Sequence, residues 1–98
     1  MGGTRMNQHL LNYHITTRES LYEILNILIE EIDRNLIKQV KYNNDEFCTE
    51  QDIHQIMLSH KLPDLLHCYF QDLSSNELYC LELETYHGLG GTFKQIKT

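Results

Sequence analysis

The longest regular apolar pattern in the chain runs from Thr16 to Val40, and it constrains the fold more than any other stretch. Its apolar residues recur at intervals of three and four, which places them in one stripe of an α-helix: Leu21, Ile24, Leu25, Leu28, Ile29, Ile32 and Leu36. Thr16, followed three residues later by Glu19, matches a capping box, with Thr17 as a competing cap. The pattern predicts one long amphipathic helix that packs on a core.

The last turns of this predicted helix depart from the stripe. Gln39 falls in its centre, Val40 lies at its margin and Ile37 points away from it. A helix over the whole stretch would span about 37 Å, against a diameter of about 35 Å for a compact chain of this size. We therefore expect its end to contact a second molecule, and we expect Ile37→Glu to change the association state with little loss of fold.

Length and charge limit the domain count and the partners. The chain has 98 residues, 14 of them acidic and 8 basic, for a net charge of −6. This length favours one domain, which we assign to residues 9–98, after a flexible N-terminal segment of residues 1–8. The basic residues are not clustered as phosphate binding requires, so we expect no nucleic-acid partner and consider a basic protein more compatible.

Apolar runs and cysteines bear on the cellular location. No apolar run is long enough for a transmembrane helix or a signal peptide, so we expect a cytoplasmic protein with no membrane partner. Cys48, Cys68 and Cys80 are odd in number and lack CxxC spacing. They are predicted to be reduced thiols, because neither a disulfide framework nor a zinc knuckle has this pattern.

The second half of the chain predicts a short helix and a hairpin. Thr49 is the expected cap of the helix, whose apolar face is Ile53, Ile56 and Met57 and which ends before Pro63. Two stretches rich in aromatic and branched residues then flank a turn at Ser74, Ser75 and Asn76. The two predicted strands are Leu65–Leu73 and Leu78–His87.

A third strand is predicted at Thr92–Lys97, after a loop formed by Gly88–Gly91. With four loop residues, Leu83 would face Ile96, Tyr86 would face Phe93 and Glu82 would face Lys97. With three loop residues, Glu84 would face Lys94 instead. Either register makes this hairpin part of a meander.

These elements predict an α+β fold with two layers: two helices packed on a three-stranded antiparallel β-meander, with a short N-terminal strand as an optional addition. In the second strand of the meander, alternation places one set of residues toward the helices and the other toward solvent. The inward set is Tyr79, Leu81, Leu83 and Thr85. The outward set is Cys80, Glu82 and Glu84.

Six histidines raise the possibility of a metal site, but their spacing opposes it. His54 and His60 are six residues apart on one predicted helix, whereas a helical ligand pair needs a separation of three or four. We therefore predict no metal ligand and no cofactor.

Three motifs could indicate catalysis, but none of them predicts a catalytic residue. Gly88–Gly91 resembles a phosphate loop in composition but continues into a strand and not into a helix. Glu82 and Glu84 share a strand face that alternation predicts to be solvent-exposed, where their pKa values would not separate. His67 and Cys68 are adjacent in a strand, so their side chains should point to opposite faces.

The leading functional hypothesis is a small acidic, non-enzymatic protein that acts through protein–protein interaction. It would act as a homodimer, or as an immunity- or inhibitor-type accessory protein that covers a basic partner. The open edges of a short sheet and the frequency of tyrosine at interfaces support this hypothesis. The candidate interface residues are Ile37, Val40, Tyr86 and Phe93.

The alternative hypothesis is a small-molecule-binding protein or enzyme with a pocket between the sheet and the helices. The candidate lining residues are His60, Tyr79, Leu81, Leu83 and His87.

Overall fold

A computed structural model describes residues 13–43, 45–46, 48–49, 51–59, 64–85 and 90–96. These residues form two helices and five strands: β1 (Tyr13–Ile15), α1 (Arg18–Asp33), β2 (Ile37–Val40), α2 (Ile53–Ser59), β3 (Leu65–Asp72), β4 (Leu78–Glu84) and β5 (Gly90–Ile96). The sheet order is β1-β5-β4-β3-β2, and every neighbouring pair is antiparallel. The α+β class is confirmed, whereas the predicted three-stranded sheet has five strands.

Helix α1 begins after Thr17, the competing cap. The Thr17 hydroxyl accepts a hydrogen bond from the Ser20 amide at 3.0 Å, and the Ser20 hydroxyl accepts one from the Thr17 amide at 3.0 Å. Ser20 thus takes the role that the sequence assigned to Glu19. The buried side of α1 is the predicted stripe as far as Leu28.

Helix α1 ends at Asp33, two turns before the end predicted from the sequence. Asn35 has a φ of 62°, the left-handed conformation that ends helices and that asparagine accepts better than most residues. The Asn35 amide donates to the Ile32 carbonyl at 2.9 Å, and the Leu36 amide donates to the Glu31 carbonyl at 3.0 Å. This is a Schellman motif, and it satisfies carbonyl groups that a continuing helix would have used.

The residues predicted to be the last turns of the helix form β2, which pairs with β3. These residues do not follow the helical stripe because side chains alternate between the two faces of a strand. Ile37 and Gln39 point toward the helices. The Gln39 side chain donates to the Gln51 carbonyl at 2.9 Å and accepts from the Ile53 amide at 3.0 Å, which joins β2 to the start of α2. Ile37 is 1% exposed, which contradicts its predicted position at an exposed helix end, and we now expect Ile37→Glu to destabilise the fold.

The core lies between the two helices and one face of the sheet, here called the inner face. Helices α1 and α2 contribute Leu21, Ile24, Leu25, Leu28, Ile53 and Ile56. The strands contribute Ile15, Ile37, Leu66, Cys68, Phe70, Tyr79, Leu81, Leu83 and Phe93. The inward orientation predicted for Tyr79, Leu81 and Leu83 is therefore confirmed.

Helix α2 is capped by Asp52 and not by Thr49. The Asp52 carboxylate accepts a hydrogen bond from the His54 amide at 2.8 Å, as an N-cap side chain does. Thr49 instead pairs with β3: its amide donates to the His67 carbonyl at 2.7 Å, and its hydroxyl accepts from the His67 amide at 2.9 Å. Thr49 thus continues the edge of the sheet beyond the end of β2.

The turn between β3 and β4 confirms the predicted position. Asp72 is buried, and its carboxylate accepts hydrogen bonds from the Ser74 amide at 2.8 Å and the Ser74 hydroxyl at 2.6 Å. Asn76 supplies the positive φ of 64°. The turn fixes a register in which His67 faces Glu82.

The register between β4 and β5 differs from both predicted alternatives. Leu81 faces Phe93, Leu83 faces Gly91 and Glu84 faces Gly90. The prediction counted all of Gly88–Gly91 as loop, whereas the last two glycines of that run belong to β5. Residues 86–89 lie outside the described part of the chain.

Candidate functional site

The sheet face turned away from α1 and α2, here called the outer face, carries a row of polar residues across four strands. His67 of β3 faces Glu82 of β4, Glu82 faces Thr92 of β5, and Thr92 faces His14 of β1. Alternation along each strand puts all four side chains on the same side of the sheet. The antiparallel register therefore assembles a polar row from residues that are distant in sequence.

This row lies in an open groove of about 470 Å³, here called the outer-face groove. The volume is within the range of about 300–1,000 Å³ that is typical of ligand sites. The rest of the lining is Ile15, Thr16, Leu65, Leu83, Glu84, Gly90 and Gly91. It is larger than the cavity of about 320 Å³ beside Gln39 and Asp52 and the cavity of about 230 Å³ beside Asn35 and Leu73.

The loop between β2 and α2 holds one end of the row in place. Asp45 of this loop accepts a hydrogen bond from the Tyr69 hydroxyl at 2.5 Å, and the same carboxylate oxygen, Oδ2, lies 3.1 Å from Nδ1 of His67. Both side chains are largely buried, with 15% of Asp45 and 21% of His67 exposed. Contact with an ionised carboxylate requires a proton on Nδ1, so Asp45 fixes both the orientation and the tautomer of His67.

Tyr69 contacts this loop through both its hydroxyl group and its ring. Its ring lies 4.7 Å from the ring of Tyr42, centroid to centroid. The Tyr42 amide in turn donates to the Cys48 sulfur at 3.4 Å. Burial, reinforced by the hydrogen bond to Asp45, raises the pKa of Tyr69, so its hydroxyl remains a donor to the carboxylate.

The two buried cysteines are structural and not reactive. Burial raises the pKa of Cys68 to about 12 and that of Cys80 to about 11. A thiol reacts as a nucleophile in its thiolate form, so neither is activated. Cys68 lies in the core while His67 borders the outer-face groove, which confirms that the two adjacent side chains point to opposite faces.

Carboxylates dominate the charge of the groove. Glu82 and Glu84 both line it, and Lys94 of β5 lies 3.4 Å from Glu82. That ion pair is about half exposed, where such pairs contribute roughly 0–1 kcal/mol and are readily exchanged. The groove therefore offers acceptor oxygens to a positively charged group.

The structure distributes the predicted pocket residues differently. Tyr79, Leu81 and Leu83 are brought together, but as tightly buried members of the core. With at most 2% of each residue exposed, their side chains fill the space between the layers. His60 and His87 lie outside the described residues.

The predicted interface residues are also separated. Ile37 and Phe93 are buried in the core. Val40 is half-buried in β2, opposite Tyr69. Tyr86 lies outside the described residues. Val40 is the last residue of β2 and directly precedes the loop that carries Asp45.

Sequence reasoning missed the contributions of Asp45, Tyr69 and His14. Asp45 lies in a stretch rich in Asn and Asp, which is typical of a turn, and no local spacing connects it to β3. A partial signal for the row did exist: a four-residue loop of Leu73–Asn76 places His67 opposite Glu82, whereas a turn of only Ser74, Ser75 and Asn76 would place it opposite Leu83.

Among the described residues, no group of three His, Cys, Asp or Glu side chains is arranged to hold a metal ion. Within the same residues, neither helix is long and apolar enough to cross a membrane. No protein-family model, curated protein or solved structure matches this chain.

Proposed function

We propose that this protein is a non-enzymatic interaction module that binds a basic segment of a partner protein in the outer-face groove. The observation that carries the proposal is the row of His67, Glu82, Thr92 and His14, with Glu84 beside it, in an open groove of about 470 Å³. Lysine and arginine side chains form charge-assisted hydrogen bonds with carboxylates. The net charge of −6 favours the same class of partner.

The dimensions of the groove support an extended peptide as the occupant. Four adjacent strands are separated by three spacings of about 4.8 Å, so the row is about 14 Å long. An extended chain advances about 3.3 Å per residue, and the row therefore matches about four residues of a partner. A groove that is open along its length admits such a segment without a change in the sheet.

The proposed class of function is the one expected from the sequence, but the proposed contact surface differs from the predicted interface residues. An inhibitor- or immunity-type protein that covers a basic partner belongs to this class. The candidate surface is now the outer-face groove.

The homodimer is a second proposal, supported by the two outer strands. Strands β1 and β2 each have one sheet neighbour among the described strands, and unpaired strand edges favour pairing with another chain. A molar mass of one chain across a wide range of protein concentrations, measured by light scattering, would contradict it.

The groove proposal is tested by fluorescence polarisation with labelled octalysine, and octaglutamate as the opposite-charge control. We expect the wild-type protein to bind octalysine and not octaglutamate. The double variant Glu82→Gln, Glu84→Gln should bind octalysine about thirtyfold more weakly, because each of the two lost charge pairs is worth about 1 kcal/mol.

The matched control is the double variant Glu19→Gln, Glu23→Gln, which makes the same change in net charge on exposed positions of α1. Its affinity for octalysine should stay within about twofold of the wild type. Equal losses in the two double variants would show that binding follows net charge and would overturn the assignment to the groove.

A further inference from the structure

Resting on the proposed function, we infer that the basic ligand and a proton on His67 compete for the outer-face groove, so that acidification releases the ligand. Histidine is the side chain whose charge ordinarily changes between about pH 5 and 8. His67 stands at one end of the polar row, borders the groove and faces Glu82. A proton on this ring puts a positive charge beside the carboxylate that the ligand would use.

The contacts of His67 hold its ring in a fixed position beside the groove. The hydrogen bond from Nδ1 to Asp45 restrains the ring, and the pairing of the His67 backbone with Thr49 restrains the strand around it. Since the ring is only 21% exposed, its charge cannot turn away into solvent without leaving Asp45. Protonation therefore acts on the groove itself.

The charged groups around His67 come from three directions. Asp45 approaches from the loop between β2 and α2, at 3.1 Å. Glu82 approaches from β4, with Glu84 one step further along the same face. Lys94 of β5 lies beyond Glu82 and pairs with it. The ligand and a protonated His67 ring would have to share the carboxylate of Glu82.

The remaining titratable neighbours lie on β3, β4, β1 and the loop between β2 and α2. Tyr69, on the same strand, and Cys80, on β4, both have a pKa raised by burial, that of Cys80 to about 11. Tyr42 and Cys48 belong to the loop that carries Asp45 and lie on the Tyr69 side of it. His14 is the other histidine of the row, at its far end on β1, and is the natural comparison.

Two histidine variants separate this mechanism from a general effect of pH. In His67→Asn, the amide nitrogen lies close to the position of Nδ1 and can still donate to Asp45, so the loop remains anchored while the titrating group is removed. His14→Gln removes the other histidine of the groove and leaves His67 in place. Circular dichroism and thermal unfolding establish that both variants are folded before binding is measured.

The experiment measures octalysine affinity at low ionic strength between about pH 8 and pH 5.5, the range in which histidine titrates. We expect the wild-type protein and His14→Gln to lose affinity about tenfold over this range, and His67→Asn to lose about twofold or less. A His67→Asn variant that keeps the wild-type pH dependence would overturn the inference and leave the proposed function intact. No binding of octalysine by the wild type at about pH 8 would overturn both.

A second measurement on the unmodified protein covers the case in which His67→Asn does not fold. Competition is reciprocal, so bound octalysine must shift the titration of His67 to lower pH. The imidazole C–H resonance of His67 is followed by NMR through a pH titration with and without saturating octalysine. An unchanged midpoint in the presence of bound peptide would overturn the inference.

Discussion

The two glycines that begin β5 would respond differently to an added methyl group. A Cβ on Gly91 would lie 2.1 Å from the Glu82 carbonyl oxygen, whereas a Cβ on Gly90 would meet nothing within 4 Å. We expect Gly91→Ala to lower the free energy of unfolding by about 1–3 kcal/mol, because the strands must separate to admit it. Gly90→Ala should change it by about 0.5 kcal/mol or less. Urea denaturation of the two variants checks this, and equal effects would contradict the pairing of Gly91 with Leu83.

His54 makes the stability of the protein depend on pH. Its Nδ1 lies 2.8 Å from Asp52 and its Nε2 lies 3.2 Å from Asp33, which links the start of α2 to the end of α1. The hydrogen bond to Asp52, followed by that to Asp33, raises the pKa of His54 above its ordinary value of 6.5. A raised pKa gives stabilisation that is complete below pH 6.5 and is lost as the pH rises through the pKa of the folded state.

We therefore expect His54→Gln to cost more stability at about pH 5.5 than at about pH 9. The difference should be less than about 1 kcal/mol, because Asp52 and Asp33 are 59% and 65% exposed and water screens their charges. Urea denaturation at the two pH values measures it. Asp33→Asn should reduce the pH dependence of the wild type in part, and a larger effect of His54→Gln at the higher pH would contradict this assignment.

At the scale of elements, the clearest consequence concerns the short strand β2. Ile37 is buried against the helices and Lys38 is exposed on the other side of the same strand. Ile37→Glu should lower the free energy of unfolding by about 2–5 kcal/mol or unfold the protein, since it removes core volume and buries a charge. Lys38→Glu, which introduces the same side chain one position away, should cost about 0.5 kcal/mol or less. Chemical denaturation followed by circular dichroism distinguishes the two, and a stable Ile37→Glu variant would contradict the placement of β2.

The elements also show which signals the sequence carried. The stripe from Leu21 to Leu28 and the turn at Ser74–Asn76 predicted α1 and the β3–β4 hairpin, because both depend on local spacing. The end of α1 was missed because an asparagine such as Asn35 is tolerated inside helices as well as after them. Strand β2 was missed because Ile37–Val40 is too short to show a period and gains its partner, β3, from distant sequence.

The candidate site was less predictable than the fold for the same physical reason. Asp45 reaches His67 and Tyr69 across more than twenty positions of the chain, and spacing rules do not extend to contacts of that separation. Glu82 was recognised as one of two carboxylates on a strand face. Thr92 and His14 can be placed in the same row only when the register of β5 is known. The predicted register was wrong because Gly90 and Gly91 were counted as loop residues, whereas they belong to β5.

At the scale of the whole molecule, the core and the groove in which we propose that a partner binds lie on opposite faces of the sheet. The inner face holds the core, and the outer face carries the groove and the loop anchored by Asp45. Substitutions at Glu82 and Glu84 therefore reach the proposed function without removing core contacts. The net charge of −6 would act on the proposed basic partner from a longer distance.

The contribution of that long-range charge is measurable from the salt dependence of binding. Raising the ionic strength from about 0.01 M to about 0.15 M shortens the Debye length from about 30 Å to about 8 Å, which screens distant charges and leaves direct contacts less affected. We expect the affinity for octalysine to fall about tenfold or more over this range in the wild type and in Glu19→Gln, Glu23→Gln. In Glu82→Gln, Glu84→Gln the fall should be similar, from a lower affinity at both ionic strengths, because the two double variants have the same net charge and salt acts mainly on distant charges. A groove that bound through apolar contacts would instead show affinity independent of salt in fluorescence polarisation, and that result would contradict a basic partner.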